Sequence, residues 1–489
     1  MITAILAIDQ GTTNSKAVLV SAEGVIVARG SSPVGISHPQ PGWVEQDPER
    51  VWASVLEAIA ACLINAPPVT IAGLAISNQR ESVTLWDGET GEPLGPVISW
   101  QCRRTAPCCA ELNAAGHSAR VEALTGLPID PMFPGPKMRW LLDRAPEGTE
   151  LRLGTIDSWL IHRFTGGKVH ACDASNAARS QLLDLNRMEW SDELCELFGV
   201  SRGFLPEVRD SASQFGETLG VPGLPDGLPI VAAIGDSHAA LFGHGAFSPG
   251  DGKVTFGTGS SIMTTLPHFI APQGGVTTTI SWSLGGKPTY AFEGNILVSA
   301  ASLPWMVEIL GLPDVQALVD LARTAEPDGP GFVPAFVGLG APYWHADARA
   351  LFSGITFNTS RAQMARAVTD SMAFQVHDVF KVMVAQSPAP LGRLFVDGGP
   401  SKNSFLMQCV ADALAHPVIQ CDAAEASALG AAYLGGLTLG IWDGLDAIKA
   451  LPRKTERLVP RPSDATKRLL TWQDAIFRST VSVTSSMGE

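Results

Sequence analysis

The sequence predicts an α/β chain of two domains. Three observations predict it. The chain has 489 residues, beyond the size at which a single hydrophobic core keeps growing. Two apolar hairpins with Gly/Thr-rich turns occur, one at the N-terminus and one just past the middle, so the second half repeats the logic of the first. A third Gly-rich turn, near residue 400, leads from a strand into a helix, and a helix N-terminus is a natural seat for phosphate.

Residues 2–8 and 15–20 are rich in Ile, Leu, Val and Ala and flank the turn Asp9-Gln10-Gly11-Thr12-Thr13-Asn14. Gly11 lets backbone approach a ligand closely, and Thr12, Thr13 and Asn14 add side-chain donors to backbone N–H groups around phosphate. Asp9 would repel bare phosphate, so a functional reading makes it a partner of Mg²⁺, directly or through water. The bland alternative is an ordinary hairpin turn. Residues 25–29 read as a third strand and 30–42 as a Pro/Ser/Gly loop. Asp47-Pro48-Glu49 starts a helix, with Val51, Trp52, Val55, Leu56, Ile59 and Leu63 at helical spacing.

A buried strand, 69–76, runs into Ser77-Asn78-Gln79-Arg80-Glu81. A hairpin turning at Asp87-Gly88 and Gly91 then delivers Trp100-Gln101-Cys102-Arg103-Arg104. Residues 105–200 read as mainly helical, interrupted by a Pro-rich loop at 128–136. Residues 229–234 form an apolar strand ending in Gly235-Asp236-Ser237-His238, and the Ala/Leu/Phe run beyond is a helix. Gly, Ser, Pro and Asp cluster at 245–252, which places the domain boundary there and divides the chain into 1–247 and 248–489. The second hairpin spans 253–263. A strand at 393–396 enters Asp397-Gly398-Gly399-Pro400-Ser401-Lys402-Asn403, then a helix over 404–415. In the tail, 463–478, Leu469, Trp472 and Ile476 share one helical face and are expected to dock on the body.

Composition narrows the class. With 34 basic against 48 acidic residues the net charge is -14, which argues against a nucleic-acid backbone as partner. The eight cysteines include no Cys-x-x-Cys spacing, and the adjacent Cys108-Cys109 suit neither chelation nor mutual pairing, so reduced thiols in a cytoplasmic protein are expected. The N-terminus has neither a basic start nor a small-residue cleavage site, and no run approaches the roughly 20 apolar residues of a membrane span. Membrane insertion is not expected.

Two hairpins and one strand-to-helix junction, divided between two halves, resemble the actin-like ATPase (ribonuclease H-like) fold. Within it the chain resembles the FGGY carbohydrate kinases, glycerol kinases in particular, over nearly its whole length. The resemblance rests on Asp9-Gln10-Gly11-Thr12-Thr13, Gly42-Trp43-Val44-Glu45-Gln46-Asp47-Pro48, Ser77-Asn78-Gln79-Arg80-Glu81, Trp100-Gln101-Cys102-Arg103-Arg104-Thr105 and Gly340-Ala341-Pro342-Tyr343-Trp344, in that order. It implies transfer of the γ-phosphoryl group of ATP, with Mg²⁺, to a primary hydroxyl, and a homo-oligomer, dimer or tetramer. Asp236 is implied as catalytic base, although Asp-Ser before an Ala/Leu run is also what a helix cap looks like. Arg80 and Glu81 would hold adjacent hydroxyls, one donating and one accepting, and Trp100 would wall the pocket. Thr12, Thr13, Asn14 and Lys16 would surround the phosphates, Thr258 would sit near the γ-phosphate, Gly399 and Asn403 at the adenosine, and Asp9 at the metal.

The chain departs from the glycerol kinase pattern at named positions. Lys16 stands where arginine is common, Ala300 for a glycine and Pro304 for a glutamine. In the acceptor pocket Met132 replaces a tyrosine, Ser237 a glutamine and Ser261 a phenylalanine. The pocket is therefore expected to be wider and more polar at its far end, where a missing contact is worth about 1–3 kcal/mol in discrimination. Phosphorylation of glycerol to glycerol 3-phosphate is the first expectation; a larger polyol or a ketose such as erythritol, ribulose or xylulose is the alternative. From other classes, an actin-like ATPase without kinase activity would lack the Arg80-Glu81-Trp100 constellation, and a catalytically silent regulator would lack Asp9, Thr12 and Asp236.

Overall fold

A computed structural model describes residues 2–326, 328–422, 425–461 and 465–481. The first sheet is built from β1 (Ile2–Gln10), β2 (Asn14–Ser21), β3 (Ile26–Pro33), β4 (Val69–Asn78), β5 (Gly216–Glu217) and β6 (Pro229–Gly235), in the order β5-β6-β4-β1-β2-β3. The N-terminal hairpin explains one edge: β1, β2 and β3 are antiparallel neighbours, so short turns suffice. β4 and β6 join on the other side parallel to β1, which requires crossovers. The first crossover contains helix α1 (Pro48–Ile64), capped by Asp47, whose side chain accepts from Glu49 N–H at 2.9 Å. Its face of Val51, Trp52, Val55, Ala58, Ile59 and Cys62 is buried against the sheet. A Cβ at Gly30 would lie 2.3 Å from the Ala58 carbonyl, so glycine there allows β3 and α1 to touch.

The second sheet repeats the plan. Its strands are β7 (Gly252–Phe256), β8 (Ser260–Leu266), β9 (Thr277–Leu284), β10 (Lys287–Ile296), β11 (Leu394–Gly398), β12 (Val418–Cys421) and β13 (Thr455–Leu458), in the order β9-β10-β8-β7-β11-β12-β13. β7 and β8 form the hairpin, β10 adds to it, and β11 and β12 run parallel to β7. The central five strands therefore follow one scheme in both sheets: hairpin and third strand on one side, two parallel strands on the other.

Helix α2 (Asp236–Gly243) follows β6, and the 26-residue α3 (Arg361–Gln386) crosses the second lobe. Helix α4 (Ser404–Leu414) follows the third Gly-rich turn, and α5 (Ala426–Thr438) returns from the second sheet to lie against α2, β1, β4 and β6. The last helix, α6 (Ala465–Thr480), buries Trp472 and Ile476 in the second lobe's core, with Leu469 half-buried beside them, and the Trp472 indole N–H donates to Asp378 at 2.6 Å. The expected start of this helix at 463 lies outside the described residues.

The region 105–200 differs from expectation. It carries six helices, but also the strands Leu151–Thr155, Ala171–Asp173, Leu183–Asp184 and Glu189–Trp190. The first of these completes a small sheet with Glu45–Gln46, Val83–Asp87 and Val97–Ile98. The expected loop at 128–136 is shorter than read, because Pro134 occupies the first turn of a helix, Pro134–Leu142, where its missing N–H costs nothing. All eight cysteines are free. Among the described residues no helix is long and apolar enough to cross a membrane.

Candidate active site

Strand register brings the chemistry together. At the carboxyl ends of the parallel strands, Asp9 on β1 pairs with Ser77 on β4, and Gly235 on β6 pairs with Asn78, so Asp9, the Ser77-to-Glu81 segment and Asp236 emerge side by side. In the second sheet Thr255 on β7 pairs with Asp397 on β11, and Phe256 with Gly398. Open α/β sheets bind ligands at such strand ends. Strand ends of both sheets line one crevice of ≈ 250 Å³: Asp9, Gly11, Lys16, Asp236 and Ser237 from the first, Lys253, Thr255, Asp397 and Gly398 from the second.

Asp236 is the first residue of α2, after Gly235 at the cap position. One carboxylate oxygen, Oδ1, accepts from Ser237 N–H at 2.6 Å and from Arg80 Nε at 3.2 Å. Among the described residues the other oxygen, Oδ2, receives no hydrogen bond, and the side chain is 38 % exposed toward the crevice. The walls around it push its pKa up; Arg80 opposes that, Glu81 adds to it, and Lys253 opposes it more weakly. The group thus keeps proton affinity despite a neighbouring guanidinium.

Asp9 is more perturbed still. Burial, with the nearby Asp236 charge second, raises its pKa to about 7 against the pull of Lys16 and a hydrogen bond from Ser77 Oγ at 3.1 Å. A carboxylate so short of positive charge fits a divalent cation. Among the described residues no cluster of three or more His, Cys, Asp or Glu side chains forms a cage. Mg²⁺ is typically bound through one or two carboxylates, with substrate phosphates and water completing its shell.

Arg80 and Glu81 are both buried, and Glu81 adopts φ 59°. Each is engaged by a charged partner. Arg80 spans Asp236 and Glu293, with Nη1 at 3.0 Å and Nη2 at 2.7 Å from the Glu293 carboxylate. Glu81 accepts from Arg179 Nε at 2.6 Å, and Arg179 also reaches Glu293 at 2.7 Å. The two guanidiniums hold Glu293 well below the usual carboxylate range although burial alone would raise it. Lys137, fully buried, donates to the carbonyls of Glu81 at 3.0 Å and Met132 at 2.5 Å, and burial lowers its pKa to about 7. It ties the half-buried Met132 to the segment that follows β4.

The other expected residues fall as follows. The Trp100 indole N–H donates to Thr12 Oγ1 at 3.0 Å, joining the segment after Ile98 to the N-terminal turn. Thr13 and Asn14 are exposed, and Asn14 donates to Thr13 at 3.2 Å. Lys16 pairs with Glu425 at 3.0 Å. Ser237 Oγ and Ser261 Oγ are 3.1 Å apart, one on α2 and one on β8. Thr258 and Gly399 are exposed on turns brought together by the Phe256–Gly398 pairing. Asn403 caps α4, accepting from Phe405 and Leu406 N–H, and its amide reaches Gln316 at 3.4 Å. Its side chain is thus committed to the helix.

Four charged residues of the site escape sequence reasoning: Lys137, Arg179, Lys253 and Glu293. For Glu293 a signal existed, a lone carboxylate directly after the apolar stretch Tyr290-Ala291-Phe292, and Lys253 likewise opens an apolar hairpin. Lys137 and Arg179 carried none.

Residues 4–243 match the profile of the N-terminal domain of the FGGY family of carbohydrate kinases, and residues 252–439 that of its C-terminal domain. An apulose kinase of Pectobacterium atrosepticum is 45% identical over 490 residues, covering 97% of this chain and 98% of that protein. A glycerol kinase of Symbiobacterium thermophilum is 43% identical over 449 residues, 90% of each chain. Glycerol kinase 2 of Thermotoga maritima is 41% identical over 492 residues, 97% of this chain and 98% of that protein. Among solved structures, Plasmodium falciparum glycerol kinase with ADP superposes with a TM-score of 0.93 at 30% identity, covering 99% of both chains. A ligand-bound xylulose kinase from Lactobacillus acidophilus, at 22% identity and TM-score 0.90 over 99% of both, shows the same two-domain, actin-like α/β fold.

Proposed function

The chain belongs to the FGGY family of carbohydrate kinases, and from that premise we propose that it transfers the γ-phosphoryl group of ATP to a primary hydroxyl of a small polyol or ketose. The observation that carries this reading is the Asp236 carboxylate. It opens into the crevice shared with Asp9 and the N-terminal turn, with Oδ1 fixed by Arg80 and Ser237 and Oδ2 open to a hydroxyl. Phosphoryl transfer asks the protein mainly for positioning and charge stabilisation, with a base near the attacking oxygen. Asp236 Oδ2 accepts the hydroxyl proton as the oxygen attacks. Arg80, Glu81 and Trp100 line the acceptor side, and Glu293 and Arg179 hold Arg80 and Glu81 in place. The turn from Thr12 to Asn14, with Lys16 and Thr258, faces the phosphates, and Gly399 and Asn403 lie at the nucleoside end. Mg²⁺, bound through Asp9 and the nucleotide, would neutralise phosphate charge. On this reading 1–247 carries the acceptor site and base, and 248–489 the nucleotide side.

Glycerol is the acceptor that most of the relatives' names suggest. A second reading, a four- or five-carbon ketose or polyol, is favoured by the Ser237–Ser261 pair, which puts two hydroxyls where a glycerol site has an amide and an aromatic wall, and by the apulose kinase relative. An ATP-consumption assay against glycerol, erythritol, xylitol, ribulose, xylulose and apulose tests both. Acceptor-dependent turnover is expected, and Ser261→Phe should shift preference toward glycerol; an unchanged ranking would refute the role given to that position. ATP hydrolysis indifferent to every acceptor would point to an ATPase instead.

A further inference from the structure

Lys253 is only 1% exposed, yet it forms part of the crevice floor. Its Nζ donates to Thr255 Oγ1 at 2.8 Å on its own strand, and to Ser237 Oγ at 3.4 Å on α2. Ser237 in turn meets Ser261 across the crevice and gives its backbone N–H to Asp236. A hydrogen-bonded chain therefore runs from the hairpin of the second lobe to the carboxylate assigned as base.

A buried ammonium is expensive unless its charge and protons are used. Val254 and Phe256, the core positions of β7, alternate with Lys253 and Thr255 and so lie on the opposite face; Lys253 is buried on the crevice side of the strand, where core packing does not account for a cation. The charged groups facing it are Asp397 on β11, Arg80 after β4, Asp236 on α2 and Glu293 on β10; burial still pulls its amine below the ordinary range.

We propose that Lys253 is a positioning residue for the base: acting through Ser237, it holds the first turn of α2 so that Asp236 Oδ2 faces the acceptor hydroxyl. This rests on the assignment of Asp236 as base. Because Lys253 and Ser261 come from the second hairpin and Ser237 from α2, the base is aimed by both lobes together.

A kinetic double-mutant cycle on the full chain tests it, with Lys253→Met, Ser237→Ala and the double variant assayed on ATP and the best acceptor of the panel. Lys253→Met should lower kcat by roughly 10²-fold, the loss that misplacement of a reacting group brings. KM for ATP should move less than about threefold, and Lys253→Arg should recover part of kcat. Since both residues act on one turn, the double variant should be no slower than Lys253→Met alone. A Lys253→Met kcat within about twofold of the parent would overturn the proposal, as would losses that multiply in the double variant. If Lys253→Met fails to fold cooperatively, Ser237→Ala decides, and an unchanged kcat there overturns the proposal. Asp236→Asn is run alongside: turnover by that variant removes the base, whereas an inactive Asp236→Asn with no Lys253 effect removes only the positioning role.

Discussion

A carboxylate 3.2 Å from a guanidinium is ordinarily a poor base, because the cation favours its charged form. At Asp236 the desolvation imposed by the crevice walls outweighs that pull, and Arg80 is shared with Glu293. Asp236→Asn keeps the shape and removes the proton acceptor, so kcat should fall by about 10²- to 10⁴-fold. Nucleotide affinity, measured by titration calorimetry, should stay within about threefold; near-normal turnover would take Asp236 out of the base role. Asp236 and Arg80-Glu81 could be singled out because each follows an apolar strand run, but their roles were implied only by the family resemblance. Their partners were not legible: Arg179 meets Glu81 across 98 residues of sequence and Glu293 meets Arg80 across 213. No local pattern encodes which distant charge completes a buried network.

At the next scale, α2 ends at His244, whose Nε2 is hydrogen-bonded to Asp397 at the end of β11 and whose ring stacks on Phe395 at 5.5 Å. Burial opposes protonation of His244, but Asp397 and Cys421 overcome it and push its pKa up to about 9. The unfolded imidazole titrates near 6.5, so between about pH 6.5 and 9 the folded chain holds a proton that the unfolded chain has lost. The stabilisation is complete below about pH 6.5 and disappears as pH rises through 9, and it amounts to about 3 kcal/mol at most. Melting temperatures measured across that window should fall for the parent and fall less for His244→Gln; equal slopes would show that the pair does not titrate as described. Elements with long apolar periods, such as both hairpins, α1 and α6, were readable. The strands of two to five residues between 150 and 190 were not, because a period of two needs more residues to show. Proline marked a loop to the eye at 134 while in fact opening a helix.

Across the whole molecule the two lobes share an apolar seam, in which Ile5, Ala75 and Ile234 of the first meet Met263, Ala291 and Leu434 of the second. Polar links bridge the lobes as well: Thr278 N–H to the Gly126 carbonyl at 3.0 Å, Ser211 N–H to the Ser283 carbonyl at 3.0 Å, and the Tyr290 hydroxyl to the Leu185 carbonyl at 2.9 Å. Hinge-type kinases close over their substrates. The radius of gyration from small-angle scattering should therefore decrease when ATP and acceptor are both bound, and identical curves with and without them would exclude closure of the lobes.

Helix α5 belongs to the second half of the chain but lies on the sheet of the first. A Cβ at Gly430 would lie 1.8 Å from the Ala239 carbonyl, and one at Gly435 would lie 2.9 Å from Val231. The two halves are thus pressed together backbone to backbone. A gene severed at the lobe junction would yield an N-terminal fragment with one side of its sheet stripped bare, fated to precipitate unless its counterpart is synthesised in the same cell.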